Sequence, residues 1–265
     1  MELENSRTQL EAQGLGVAAI SFDSVAVLHN FAQRKSIHIP LLSDAGSKII
    51  RAYGILNETV GKDDEVYGIP HPGTFLLDAS GKVVSKDFEE DFRDRVTAAS
   101  ILASRFGAAV DAAKSDVVGK QALLSLSASN ATLHVGERMT LVIDVTLKPG
   151  MHVYAPGVDG YIPVAWAMGP SPSWTAHDAV FPASEKLRLE AIQETVPVYQ
   201  NHIRVTRDVT VGQNVKPGPL TVEGTFRYQA CDDRVCYIPQ TLPLKWTFEV
   251  QPLDRARVPA AMRKN

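Results

Sequence analysis

Residues 220–250 read LTVEGTFRYQACDDRVCYIPQTLPLKWTFEV. Two alternating, strand-like runs, Leu220–Tyr228 and Leu242–Val250, bracket a short insert that holds both cysteines of the chain, Cys231 and Cys236. Alternation with period two marks a half-buried strand, and a polar insert with two aspartates marks a turn. The pattern predicts a β-hairpin whose turn is Asp232, Asp233, Arg234 and Val235, with one cysteine on either side. Residues facing each other across an antiparallel pair have Cβ atoms about 4.5–5.5 Å apart, so modest adjustment reaches the roughly 3.8 Å of a disulfide.

The same grammar runs upstream. Leu124-Ser125-Leu126-Ser127, Leu141–Val145 and Ile203–Thr206 are short alternating strands separated by Pro- and Gly-containing turns. Together they predict an all-β sandwich over residues 121–252, with 253–265 as a C-terminal tail. The first hundred residues follow a different pattern. Val17-Ala18-Ala19-Ile20 is an all-apolar run of the buried parallel-strand kind, followed by a helix from Ser24 to about Arg34 and a short strand at Ile39–Leu42. Asp44 stands where an N-cap opens a helix carrying Ile49, Ile50 and Tyr53. Gly73–Asp78 is a strand, Ala79–Lys82 a turn, Val83-Val84 the return strand, and Phe92–Phe106 a closing helix. This order predicts an α/β domain over residues 1–107. The small, charged, weakly patterned stretch 108–120 reads as a linker.

Composition narrows the function. With 265 residues and 45% apolar content the chain is long enough for about two cores, which excludes wholesale disorder. Its 27 Lys+Arg against 30 Asp+Glu are interspersed, so no basic patch points to nucleic acid. No run approaches the roughly 18 apolar residues of a membrane span. Two cysteines are too few for a zinc site, and His134, His152, His177 and His202 lack metal-ligand spacing. No Gly-rich phosphate loop follows a strand, so no organic cofactor is expected.

A bond between Cys231 and Cys236 would close a loop of about six residues, for which chain entropy supplies only about 2 kcal/mol. Stabilisation alone is a weak motive. A surface hairpin also lets two thiols open and reclose without unfolding the domain, as exchange chemistry requires. The spacing leaves open an exchange-active pair, a structural bridge and two unpaired thiols.

The string YQACDDRVCYIPQTLPL resembles the redox hairpin of the N-terminal, immunoglobulin-like domain of the thiol:disulfide interchange protein DsbD and its disulfide bond corrector relatives. The likeness extends through Leu147–Tyr154 and Val196–Tyr199, about 130 residues in all, and the interval here is four residues where familiar members have five. The resemblance implies that Cys231 and Cys236 accept electrons from a membrane-embedded thiol donor and pass them to thioredoxin-like proteins. It also implies a shielding loop, matched by Glu190–Thr195 without an aromatic tip, with Tyr154, Tyr199 and Glu194 as candidates for shielding or partner contact. Asp232 and Asp233 disfavour a nearby thiolate and Arg234 favours it, so the sequence names no nucleophile.

Gly14–Asp23, Ile39–Asp44, Tyr53-Gly54-Ile55 and His71–Lys82 resemble the redoxin, or alkyl hydroperoxide reductase and thiol-specific antioxidant, branch of the thioredoxin superfamily. In that fold a strand and cysteine-bearing loop precede the helix with which this chain opens. The resemblance therefore implies an incomplete thioredoxin-like domain, with Met1 an internal start or the product of a truncated gene model. It also makes Pro72 the counterpart of the cis-proline beside the active cysteines. No cysteine precedes Cys231, so this half carries no thiol of its own.

The expected function is thiol–disulfide exchange through Cys231–Cys236 with a thioredoxin-like partner. The alternatives are an antioxidant peroxidase whose cysteine segment lies outside this sequence and a non-catalytic interaction module with a structural bridge. Such a bridge persists outside the reducing cytoplasm, so a periplasmic or exported location is expected even though the opening MELENSRTQL is polar where a signal peptide is apolar.

Overall fold

A computed structural model describes residues 2–88, 94–108, 112–189 and 193–253. They fall into two compact units, the first up to Leu102 and the second Ala103–Pro252.

The first unit opens with helices α1 (Glu2–Asn5) and α2 (Arg7–Ala12). Strand β1 (Ala19–Ser21), helix α3 (Val25–Lys35), strand β2 (Leu41–Ser43) and helix α4 (Lys48–Ala52) follow. The Ser24 hydroxyl accepts the Val27 amide to start α3, and Ser36, in the left-handed region, ends it. β1 and β2 pair in parallel, Ala19 with Leu41 and Ile20 with Leu42. The Asp44 carboxylate accepts the amides of Lys48 and Ile50, each at 2.9 Å, and so serves the first turn of α4. Strands β3 (Gly73–Leu77) and β4 (Val83–Phe88) form the expected hairpin. Its turn is held by the Asp78 carboxylate, which accepts the amides of Ser80 and Lys82.

Strand β5 (Arg95–Val96) and helix α5 (Ala98–Phe106) complete the α/β elements. The closing helix thus starts later than its apolar spacing predicts, because the Thr97 hydroxyl accepts the Ser100 amide and caps it there. Phe92, the predicted start, lies outside the described residues. The peptide bond before Pro72 is trans, which corrects the cis-proline expectation. Pro72 instead leads a loop into β3, where a missing N–H costs the ladder nothing.

The second unit contains β6 (Ala112–Val118), β7 (Ala122–Ala128), β8 (Thr132–Leu133), β9 (Glu137–Leu147), β10 (His152–Tyr154) and β11 (Ala165–Ala167). It continues with β12 (Trp174–Val180), β13 (Glu185–Leu189), β14 (Glu194–Gln200), β15 (His202–Val211), β16 (Gly218–Tyr228), β17 (Ala230–Cys231) and β18 (Gln240–Val250). One sheet runs β12-β15-β9-β7-β6, a second β11-β16-β18-β8, and a third β13-β14-β10-β17. Inward residues of these strands, among them Leu124, Met139, Ile143, Val205, Val222 and Phe226, form a single core. Trp246 stacks on Trp166 there and donates its indole N–H to the Ser127 carbonyl at 3.0 Å.

The predicted linker 108–120 is corrected by β6, which pairs with β7 from Ser115↔Leu126 to Val118↔Leu123. Lys114 and Asp116 are exposed while Val117 packs on the core, the charge pattern of an edge strand.

β16 and β18 pair along their full eleven residues, from Gly218↔Val250 to Tyr228↔Gln240. Beyond Tyr228 the chain changes sheets: Ala230 and Cys231 pair with Val153 and His152 of β10. That switch carries the hairpin tip onto the edge of the third sheet.

Candidate functional site

Asp232 organises the tip. One of its carboxylate oxygens accepts the amides of Arg234 and Val235, both at 2.8 Å, and the other accepts the Tyr237 hydroxyl at 2.8 Å. An aspartate accepting amides two and three residues on is an Asx turn, which explains why this residue type starts the loop. These donors hold the Asp232 carboxyl below the usual carboxylate range, the Val235 amide contributing most. The same bond raises the Tyr237 phenol, since losing its proton would place a second negative charge beside Asp232. Backbone bonds from Asp232 N to Val235 O (3.0 Å) and from Tyr237 N to Ala230 O (2.9 Å) close the turn. Cys231 and Cys236 face each other with Cα atoms 4.0 Å apart and are joined by a disulfide.

The two cysteines sit in unlike surroundings. Cys231 is 1% exposed and belongs to a small apolar cluster with Tyr154, Val196 and Val198. Cys236 is exposed, and so are its neighbours Asp233, Arg234, Val235 and Ile238, the last at 84%. One sulfur is anchored in the sheet and the other borders an apolar rim.

Strand alternation decides which side chains reach the bridge. His152 and Tyr154 are two apart on β10, His152 lies opposite Cys231, and Tyr154 lies opposite Val198, so all share one face. The Tyr154 hydroxyl is 3.7 Å from the sulfur of Cys231 and 3.7 Å from that of Cys236. Burial and then the Glu194 charge push its phenol up. Tyr161 stacks on Tyr154 with ring centroids 4.3 Å apart and donates its hydroxyl to Glu194 at 2.5 Å. That bond drives the Tyr161 phenol to about 12. The bridge is therefore covered by Tyr154, Tyr154 by Tyr161, and Tyr161 is tied to Glu194.

Tyr199 is corrected. It pairs with Val153, one step out of phase with Tyr154, so its side chain packs in the main core on the opposite face. Its hydroxyl donates to the Pro182 carbonyl at 2.9 Å. Of the expected shielding loop, residues 190–192 lie outside the described residues, whereas Glu194 sits at the start of β14. Pro72 belongs to the first unit. His152 and Tyr161 escaped the sequence reading; the available signal for His152 was its two-residue spacing from Tyr154 in a strand. Among the described residues no group of three or more His, Cys, Asp or Glu is placed to hold a metal ion. No helix there is long and apolar enough to cross a membrane.

The fold and this hairpin define a chain that joins a redoxin-like N-terminal region to an immunoglobulin-like β domain. Residues 1–86 match the AhpC/TSA family, and residues 120–245 match the family of the thiol:disulfide interchange protein DsbD, N-terminal. Peroxiredoxin Bcp of Escherichia coli (strain K12) is 32% identical over 89 residues, 33% of this chain and 56% of that protein. The chain thus spans just over half the length of that curated relative. The N-terminal periplasmic domain of ScsB from Proteus mirabilis is similar with 13% identity and a TM-score of 0.38, over 51% of each chain. The Neisseria meningitidis DsbD N-terminal domain in its reduced form is 16% identical with a TM-score of 0.29, over 42% of this chain and 82% of that one.

Proposed function

We propose that the second unit exchanges disulfides with a thioredoxin-like protein through Cys231–Cys236. The observation that carries this reading is the asymmetry of the bridge, one cysteine buried in the sheet and its partner exposed at the tip beside Val235 and Ile238. Exchange needs a sulfur open to a foreign thiolate and a leaving sulfur held in place. A thiolate of the reduced partner attacks Cys236, the Cys231–Cys236 bond breaks, and its electron pair leaves on Cys231. The partner's second thiolate then resolves the mixed disulfide, so the partner is oxidised and the pair becomes a dithiol. The Tyr154 hydroxyl, within reach of both sulfurs, stabilises the leaving thiolate by donating to it. Val235 and Ile238 supply an apolar rim on which the partner closes.

The family match of residues 120–245 supports the same reading. It also supports a periplasmic or exported setting, with a membrane-embedded thiol donor as a second partner class. Peroxide reduction is not proposed for this chain, because both cysteines lie in the hairpin. Titration of the pair against a dithiol redox buffer tests the assignment. An exchange pair equilibrates at a potential well above about −300 mV, and a structural bridge lies below it. Reduction by a reduced thioredoxin-like protein that Cys231→Ser leaves unchanged would sink the reading.

A further inference from the structure

His152 is a buried, titratable group for which the exchange mechanism above has no use. It is 4% exposed and its Nε2 has no hydrogen-bond partner among the described residues. A polar atom removed from water without a partner costs stability, so buried histidines ordinarily bond to something. This one is directly opposite Cys231 across the β10–β17 pair and points to the same side of the sheet. Its ring meets Tyr154 edge-on, with centroids 5.6 Å apart.

We propose that His152 is the proton acceptor paired with Cys231, neutral while the disulfide is intact and protonated when the bond opens and leaves a thiolate on Cys231. The inference rests on the exchange reading for its biological use, but not for its test. An intact disulfide carries no charge, so the bridge itself does nothing to offset the desolvation of an imidazolium buried beside it. A thiolate at the same place changes that balance, because opposite charges in a partly buried site attract strongly.

The other groups around His152 are consistent with this. Gln200, its neighbour on β14, is neutral. Tyr154 is held in its protonated form by burial and by Glu194, which reaches it through Tyr161. From the turn, the Asp232 charge favours the protonated ring, whereas burial opposes it and dominates while the bridge is closed. Asp232 is itself engaged by Tyr237 and by the amides of Val235 and Arg234, the latter's guanidinium also near it.

The proton balance closes. The partner dithiol releases two protons to solvent as its two thiolates form, and its two electrons pass to the Cys231–Cys236 bond. One proton from solvent binds His152 and is shared with the Cys231 thiolate; the second goes to Cys236 when the mixed disulfide is resolved.

Nuclear magnetic resonance of the histidine rings in the whole chain, titrated before and after reduction with dithiothreitol, reads this directly. Through-bond correlations assign His152 without any substitution. The expected result is a proton affinity at least tenfold higher in the reduced protein, with the other six histidines unmoved. In parallel, His152→Phe removes the corresponding bend from the pH dependence of the pair's potential. Equal His152 midpoints in both redox states would overturn the proposal. Failure of the reduced thioredoxin-like protein to reduce the wild-type chain would defeat the exchange reading instead, leaving the dithiothreitol titration to decide on His152.

Discussion

The two units bury apolar side chains to different degrees. In the second, Leu124, Met139, Ile143, Val205, Val222 and Phe226 are fully enclosed. In the first, Ile20, Leu42, Leu77 and Val84 are 40%, 51%, 42% and 55% exposed. Strand geometry accounts for the contrast. β1 and β2 are three residues each and pair only with each other among the described residues, whereas β16 and β18 pair over eleven and face a second sheet. Short strands with one neighbour cannot cover their own side chains. The disulfide lies in the unit with the closed core, where the sheet encloses Cys231 and leaves Cys236 exposed.

The contrast is most sharply tested by truncation. Phe226→Ala should cost about 3–5 kcal/mol, as for other large aromatic core residues, and Val84→Ala in the first unit less than about 0.5 kcal/mol. All three tryptophans, Trp166, Trp174 and Trp246, belong to the second unit, so their fluorescence during urea unfolding reads Phe226→Ala, while native-state amide hydrogen exchange of the first unit reads Val84→Ala. Comparable losses from the two substitutions would break the comparison.

Within the second unit, the difference between its structural core and its working edge should appear in Tyr154→Phe. In the proposed exchange this hydroxyl donates to the departing thiolate, a bond worth about 1.5 kcal/mol or more, so exchange slows about tenfold. The urea midpoint should move little, because the ring still packs against Tyr161. Stopped-flow exchange and equilibrium unfolding measured on the same sample separate the two effects.

A smaller effect concerns acid. Burial lowers the His152 proton affinity in the oxidised fold, so the unfolded chain binds a proton first as pH falls. Stability should therefore decline from about pH 6.5, the unfolded histidine value, down through the lower folded value, and His152→Phe should remove that part of the decline. Thermal unfolding of the oxidised protein between pH 7.5 and 5 checks it.

The smallest effect is expected at Asp232. Its carboxyl is depressed in the fold, so its contribution is complete above the unfolded aspartate value and disappears as pH falls through the folded one. Asp232→Ala should differ from wild type at pH 7 and converge with it in strong acid, and Asp232→Asn should be milder because it keeps the acceptor for the turn amides. Amide hydrogen exchange of Arg234 and Val235 reports the turn itself.

Features set by neighbouring residues were legible in the sequence. The Cys231–Cys236 hairpin, the start of α3 at Ser24 and the β3–β4 turn each depend on a few adjacent side chains whose turn and helix-start chemistry is local. Features set by distant pairing were not. β6 is hidden because Ala112–Val118 has small and charged residues where alternation would show, and only β7 makes it a strand. Tyr154 and Tyr199 looked equivalent until the three-residue strand β10 was registered against β14, where a one-residue offset sends them to opposite faces. His152 became visible as part of the site by the same route, through its pairing with Cys231. Tyr161 lies on no strand and reaches the site only through the fold.

In the proposed mechanism a foreign thiolate meets Cys236 while Cys231 departs into the sheet. A thioredoxin-like protein carrying a single active cysteine can be allowed to react with the oxidised chain, and the trapped mixed disulfide mapped by peptide mass spectrometry. The expected product is a bond from the partner to Cys236 with Cys231 left as the free thiol. A partner joined to Cys231, or no mixed disulfide with a thioredoxin-like protein at all, would contradict it.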